Sequence, residues 1–255
     1  MIDLHCHILP GIDDGAKSMD DSLKMARKAV AQGITHVLAT PHYKNGRWDI
    51  EKEDILEYVV SLQTELDQRE IPLKIFPGQE VRIVGELLED ISANKIQFID
   101  EADRYILIEF PTATIPHFTN RLFFELQKMG ITPIIVHPER NHAVLNNPDE
   151  LLALVEKGAL AQVTAGSYVG SFGKKIQKLS HQLIQADLVH FIASDAHNVN
   201  SRDFYMSEAF EKLEKEFGNQ KVNQFQQITK DLINGEIIVT NPPKQVKKPK
   251  FLGIF

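Results

Sequence analysis

At 255 residues, 43% hydrophobic and 25% charged, the chain has a globular composition and length enough for one large α/β domain or two small ones around a sizeable core. A formal charge of −7 argues against a nucleic-acid backbone as a general partner, and a single cysteine excludes an internal disulfide and any need for an oxidising compartment. No apolar run approaches the roughly 18 residues of a membrane span, and the first residues lack the basic n-region of a signal peptide, so the expectation is a cytoplasmic enzyme.

Met1 to Pro10 reads MIDLHCHILP. Ile2, Leu4, Cys6 and Ile8 alternate with Asp3, His5 and His7, the period of a strand. The two imidazoles then share the face opposite the apolar one, and two neutral imidazoles at that spacing make half a transition-metal site. Cys6, on the apolar face, reads as core; with Ile12 six positions later instead of arginine, it is not the nucleophile of a cysteine-dependent phosphatase.

Pro10 to Lys17 (PGIDDGAK) is a Gly/Asp loop suited to ligands. Ser18 to Gln32 predicts an amphipathic helix capped by Ser18, with Asp20 and Asp21 at its positive end and Gly33 at its stop. Thr35 to His42 predicts a strand and Glu51 to Arg69 a charged helix. Leu73 to Ile83 predicts a strand broken at Pro77-Gly78 just before Glu80, followed by a short helix over Gly85 to Lys95. Strands are expected over Tyr105 to Phe110, ending in Glu109, and over the segment Thr132 to Arg140, ending in His137, with a helix over Phe118 to Met129 between them. A helix over Pro148 to Lys157, a strand over Ala161 to Ala165, a helix over Gly173 to Ala186 and a strand over Leu188 to Ser194 follow. The last strand runs into Asp195 and His197, and helices near Phe204 to Phe217 and Val222 to Asn234 complete the pattern.

Strands alternating with amphipathic helices imply parallel strands and helical crossovers. His7, His42, Glu80, Glu109, His137, Asp195 and His197 all fall at strand C-termini. In a closed barrel those ends share one mouth, whereas in an open sheet they lie along a line. The expected fold is therefore an α/β chain closed as a seven-stranded barrel over residues 1–240. Residues 241–255 form a basic, proline-containing tail with four lysines and no acid. It is read as a solvated tail packing its terminal aromatics, with a membrane or partner hook as the alternative.

A donor set of imidazoles and carboxylates without thiolate suits zinc, manganese or iron, and it exceeds what one ion can use. The other five histidines, His36, His117, His142, His181 and His190, are expected at the surface or in capping positions.

These motifs reach a family. H-x-H at His5/His7, T-P-H at His42, Glu80, H-P-E-R at His137 to Arg140 and S-D-A-H at Ser194 to His197 resemble the PHP metallohydrolases. More narrowly, DLHCHILPGIDDGA, LATPHY, PGQE, ILIEFP, HPERN and SDAHN resemble the CpsB/CapC-type bacterial tyrosine phosphatases of capsule and exopolysaccharide synthesis, over essentially the whole chain. The resemblance implies a distorted (β/α)7 barrel with a trinuclear site, usually of manganese. His5, His7 and Asp195 would hold one ion sharing Glu80 with a second, which Glu109 and His137 complete. His42 and His197 would hold a third with a residue of the Gly/Asp loop, where Asp14 is preferred and Asp13 is the alternative.

A water bridging two cations loses its proton near neutral pH, and Arg140 and Arg202 are placed to bind phosphate oxygens during in-line attack. A phenol, with pKa about 10, leaves far more easily than an alkoxide, which favours phosphotyrosine. The resemblance implies a bacterial tyrosine kinase with a Tyr-rich tail as substrate, and a homo-oligomer is open. The competing readings are a small-molecule phosphatase of the histidinol-phosphate type and a non-catalytic, metal-stabilised docking module.

Overall fold

The computed structural model describes residues 1–247. The chain runs through β1 (Ile2–Cys6), α1 (Met19–Ala31), β2 (His36–Ala39), β3 (His42–Tyr43), α2 (Lys52–Gln68), β4 (Lys74–Pro77), β5 (Glu80–Arg82) and α3 (Leu87–Ser92). It continues through β6 (Tyr105–Glu109), α4 (Thr119–Lys128), β7 (Thr132–Val136), α5 (His142–Asn146), α6 (Asp149–Val155), β8 (Leu160–Thr164) and α7 (Ala165–Val169). α8 (Lys174–Gln185), β9 (Phe191–Ala193), α9 (Met206–Phe217) and α10 (Asn219–Ile233) complete it.

Local chemistry sets several of these limits. Ser18 caps α1 by accepting the Asp21 N–H at 3.3 Å, and Gly33, at φ +77°, ends that turn in the left-handed region. Pro41 interrupts what would be one strand into β2 and β3, and Gly78-Gln79 divide β4 from β5. The expected strand over Thr132 to Arg140 stops at Val136, because His137 turns left-handed (φ 36°) and Pro138 opens a single 3₁₀ turn to Arg140. The short helices α5 and α7 were not expected from periodicity; at five residues each they carry too little pattern to register.

All strand pairings are parallel, in two sheets ordered β1-β2-β4 and β3-β5-β6-β7-β8-β9. The sheets are continuous through the chain at both interruptions, and a parallel bridge between Cys6 and Ala196 links β1 to the end of β9. Backbone bonds strengthen that seam: His7 N–H donates to Ala196 O at 2.9 Å and Asp195 N–H to His5 O at 2.8 Å.

The core lies in two clusters. One joins the helices to the strands and includes Cys6, Val37, Ala39, Val81, Ile108 and Ile135. The other gathers Leu4, Leu38, Leu107, Ile134, Val136, Phe191 and Ala193 between the strands, closed below by Ile228 and Leu232 of α10. The simple alternation expected of β1 is broken. An irregularity between Asp3 and Cys6 sets three residue steps against two on β2, so Leu4 and Cys6 enter different clusters. His7 lies just past the strand.

His190 corrects an expectation. It is buried, not superficial, and its Nδ1 accepts the Ala161 N–H at 3.0 Å. His117 and His142 are exposed, and His181 pairs with Glu216 at 2.9 Å. From the tail, Lys244 donates its N–H to Ala186 O at 2.8 Å and its ammonium to Asp187 at 2.9 Å. The rest of that basic segment, 248–255, lies outside the described residues.

Candidate metal centre

Strand ends deliver the candidate ligands. Glu80, first residue of β5, sits at the middle: its Oε1 is 2.7 Å from His137 Nε2, and its Oε2 is 2.9 Å from His42 Nδ1, 3.3 Å from His7 Nε2 and 3.5 Å from His5 Nε2. Asp195 Oδ1 lies 3.5 Å from both His5 and His7. Asp14 Oδ1 lies 3.2 Å from His42 Nε2 and 3.3 Å from His197 Nε2. Glu109 Oε2 stands 3.9 Å from His42. All nine residues expected as ligands thus converge, and all but Asp14 and Glu109 are buried.

Three overlapping groups have donor atoms close enough for one ion each: His7, Asp14, His42 and His197; His5, His7 and Glu80; and His42, Glu80 and Glu109. The partition expected from resemblance is therefore loosened, since His7 also reaches the Asp14 group and His42 also reaches Glu109.

Residues behind the donors orient them. His7 Nδ1 donates to Asp13 at 2.7 Å and His5 Nδ1 to Gln162 Oε1 at 3.1 Å, which frees both Nε2 atoms to face inward. His197 Nδ1 donates to Asp195 O at 3.0 Å. Asp13 therefore stands behind a ligand while Asp14 faces the cluster. Asp3 accepts the Ser194 N–H at 2.8 Å and its hydroxyl at 2.5 Å, tying β1 to the turn that carries Asp195. His137 and Asp195 both hold left-handed backbones (φ 36° and 52°), a cost of about 1–3 kcal/mol each that recurs at functional sites.

The electrostatics favour added positive charge. Burial opposes protonation of His42, but Glu80 and Asp14 outweigh it and raise its pKa to about 11. His7 rises to about 9 because Asp13 and Glu80 overcome the same penalty. Burial and the neighbouring Glu80 charge push Glu109 up to about 7 despite Arg82. Asp195, although buried, is held well below the usual carboxylate range by Arg140 and Arg202. Burial pushes the Cys6 thiol well up, so it offers no nucleophile.

The donor set fits divalent transition metals on one further ground. Among the described residues, Glu80 Oε2, Glu109 Oε2, His42 Nδ1 and His197 Nε2 are buried and, although ion-pair contacts such as the 2.9 Å between Glu80 and His42 bring them close, none is in hydrogen-bond geometry, which natural interiors rarely leave so.

Arg140 and Arg202 both reach Asp195, at 2.7 Å and 3.0 Å, at the rim of the cluster. Sequence reasoning did not single out Arg82, whose guanidinium lies 3.1 Å from Glu109, nor Gln162. A glutamine inside the fully buried strand LAQVT was a usable signal for the latter. A cleft of about 340 Å³ opens beside Asp14 and His197, past Met25, Asn198 and the exposed Lys17 and Lys24.

Comparison with known proteins shows what the chain as a whole is similar to. Residues 1–234 match the family model for capsular polysaccharide synthesis, CpsB/CapC. The chain is 45% identical over the full length of both chains to the tyrosine-protein phosphatase YwqE of Bacillus subtilis. It is 38% identical, again over both full lengths, to the putative tyrosine-protein phosphatase CapC of Staphylococcus aureus. With tyrosine-protein phosphatase CpsB of Streptococcus pneumoniae the identity is 29%, over 96% of this chain and 97% of that one. A crystal structure from work on YwqE and CpsB, described as unique metal-dependent tyrosine phosphatases, superposes at a TM-score of 0.93 with 45% identity, covering 97% of this chain and 100% of that one.

Proposed function

The chain belongs to the CpsB/CapC family of capsular polysaccharide synthesis, and from that premise we propose that it is a metal-dependent phosphotyrosine-protein phosphatase. The observation that carries the reading is the convergence of nine imidazole and carboxylate side chains, Glu80 at their middle, with two arginines at their rim.

The finer assignment is a trinuclear manganese site, with iron or zinc also suited to the donors. His5, His7, Asp195 and Glu80 serve one ion, Glu80, Glu109 and His137 a second, and Asp14, His42 and His197 a third. Bound there, the ions supply Lewis acidity and a nucleophile active near neutral pH. The chain's own residues do the rest. Asp13 and Gln162 fix the tautomers of His7 and His5, and Arg140 and Arg202 turn from Asp195 to the non-bridging phosphate oxygens. No general acid is required for a phenol, whose pKa of about 10 makes it a competent leaving group.

The parallel order of the strands and the Cys6–Ala196 bridge support a distorted (β/α)7 barrel over 1–240, in which β2 with β3 and β4 with β5 count as single interrupted strands. The substrate assigned is the Tyr-rich tail of a bacterial tyrosine kinase, met in the cytoplasm. Among the described residues no helix is long and apolar enough to cross a membrane.

The test is turnover of a kinase-tail phosphotyrosine peptide and of histidinol phosphate, each with Mn²⁺ and with chelator. Peptide turnover abolished by chelator and by His5→Ala is expected. Turnover of histidinol phosphate alone would transfer the site to small-molecule chemistry, and turnover of neither by metal-loaded protein would leave a docking module.

A further inference from the structure

The loop of residues 44–49, between β3 and α2, supplies no ligand, yet it covers one. The Trp48 indole lies nearly parallel to the His42 imidazole, 19° apart with ring centres 5.7 Å from each other. The Arg47 guanidinium carbon lies 4.5 Å from the centre of the indole. The loop is built to hold this stack. Asn45 Oδ1 accepts the N–H groups of Arg47 and Trp48, both at 3.0 Å. Ile50 N–H closes onto His42 O at 3.2 Å, and Lys44 anchors on Asp90 at 2.6 Å. Gly46, at φ +93°, supplies the left-handed residue of the turn. Arg47 is exposed. Where Arg82, Arg140 and Arg202 engage Glu109 and Asp195, it has no carboxylate within ion-pair distance among the described residues.

We propose that Arg47, held on Trp48, is a specificity determinant for the phosphatase reading above, on which this inference rests. It takes a second anionic group of the substrate peptide, either a carboxylate side chain or another phosphotyrosine, one to three residues from the phosphotyrosine at the metals. A planar guanidinium on an aromatic face is weakly hydrated and presents its fork to carboxylate or phosphate. It lies one ring stack beyond His42, a reach that one to three extended residues at about 3.3 Å each can span. A chain of net charge −7 repels an acidic peptide at long range, so a fixed cation at the mouth has a distinct task.

The test uses full-length, metal-loaded wild type, Arg47→Ala and Arg47→Glu. The substrates are p-nitrophenyl phosphate and three phosphotyrosine peptides of equal length, flanked by neutral residues, by glutamates or by a second phosphotyrosine. Arg47→Ala should raise KM about fivefold on an anionic peptide with kcat unchanged, the size of a partly exposed charge pair. Arg47→Glu should raise it further. Neither should alter the neutral peptide or the aryl phosphate, and the two anionic peptides decide between carboxylate and phosphate.

Trp48 is the only tryptophan of the chain, so its emission reports binding of a non-hydrolysable phosphonate peptide directly. Equal KM values for Arg47→Glu and wild type on both anionic peptides would overturn the proposal. So would an equal loss on aryl phosphate, which would make the stack a brace for His42. Wild type that turns over no phosphopeptide would instead overturn the phosphatase reading; an Arg47-dependent change in Trp48 emission with the anionic peptides would then still support the anion site, and its absence would remove that as well.

Discussion

The Nε2 atoms of His5 and His7 face each other at 3.2 Å while both Nδ1 atoms are already engaged, by Gln162 and Asp13. Two Nε2 atoms held that close need a shared proton or a metal cation to offset the repulsion of their lone pairs, and a metal ion would displace the proton that His7 otherwise retains to a pKa of about 9. The two aspartates of the Gly/Asp loop therefore have separable roles. Asp14→Ala should lower the metal content of saturated protein by one equivalent, measured by inductively coupled plasma mass spectrometry. Asp13→Ala should leave the saturated count intact and weaken affinity by about 10- to 100-fold, the usual effect of losing a ligand's outer partner, read by chelator competition.

Chelation should destabilise the protein as well as silence it. Stripping the ions leaves Glu80, His42 and Glu109 crowded with mismatched charge. Bound metal at about 100 times its Kd contributes about 2.7 kcal/mol. Thermal unfolding should shift down with chelator and return with added Mn²⁺; an unchanged midpoint would mean that the cluster is not a metal site.

Arg140→Lys should lower kcat by about 10²-fold, within the range for loss of one charge-stabilising donor, with metal content unchanged. A lysine keeps the charge beside Asp195 but loses the fork. Parallel kcat and metal-content measurements check it, and full activity would remove Arg140 from the reaction.

Gly15 allows the ligand loop to fold back against His7. A Cβ there would lie 2.0 Å from the His7 carbonyl oxygen and 2.5 Å from its Cβ, so Gly15→Ala must push the loop outward and carry Asp13 and Asp14 with it. Activity should fall by on the order of 10²-fold while far-UV circular dichroism stays native. Retained activity would show that the loop does not need this contact.

His190 predicts an acid-side loss of stability independent of the metals. Burial holds its pKa at about 4, below the ordinary 6.5, so the unfolded chain binds the extra proton first. Stability is then complete above about pH 6.5 and falls as pH drops toward 4. His190→Asn keeps an acceptor for Ala161 without the titration. Between pH 7 and 5, urea unfolding of chelated protein should lose on the order of 1–2 kcal/mol less in the variant than in wild type.

The candidate ligands that the structure brings together were legible because they punctuate strands: Glu80 follows a Pro-Gly break, His42 follows Pro41, and Asp195 and His197 lie just past the last strand. What was not legible depends on contacts across the chain. Asp13 and Asp14 are chemically identical neighbours, and only the fold turns one behind His7 and the other toward His42. Gln162 stands out only as a polar residue within the strand LAQVT, and nothing local marks its partner His5, 157 positions away; Arg82 meets Glu109 from a neighbouring strand, which no local period marks either. His190 was misplaced because it stands just before β9, in a buried approach whose burial the sequence pattern did not reveal.

The seam between β1 and the end of β9 also sets when the centre can exist during synthesis. His5 and His7 leave the ribosome among the first residues, but Asp195, His197 and the Ala196 carbonyl that accepts the His7 N–H follow nearly two hundred residues later. Until then the two imidazoles are an exposed, incomplete chelate, and the pairing that completes them is among the most non-local in the chain. On the proposed assignment of the ligands metal loading is a late event, and an interrupted chain ending before residue 195 should emerge without a competent centre.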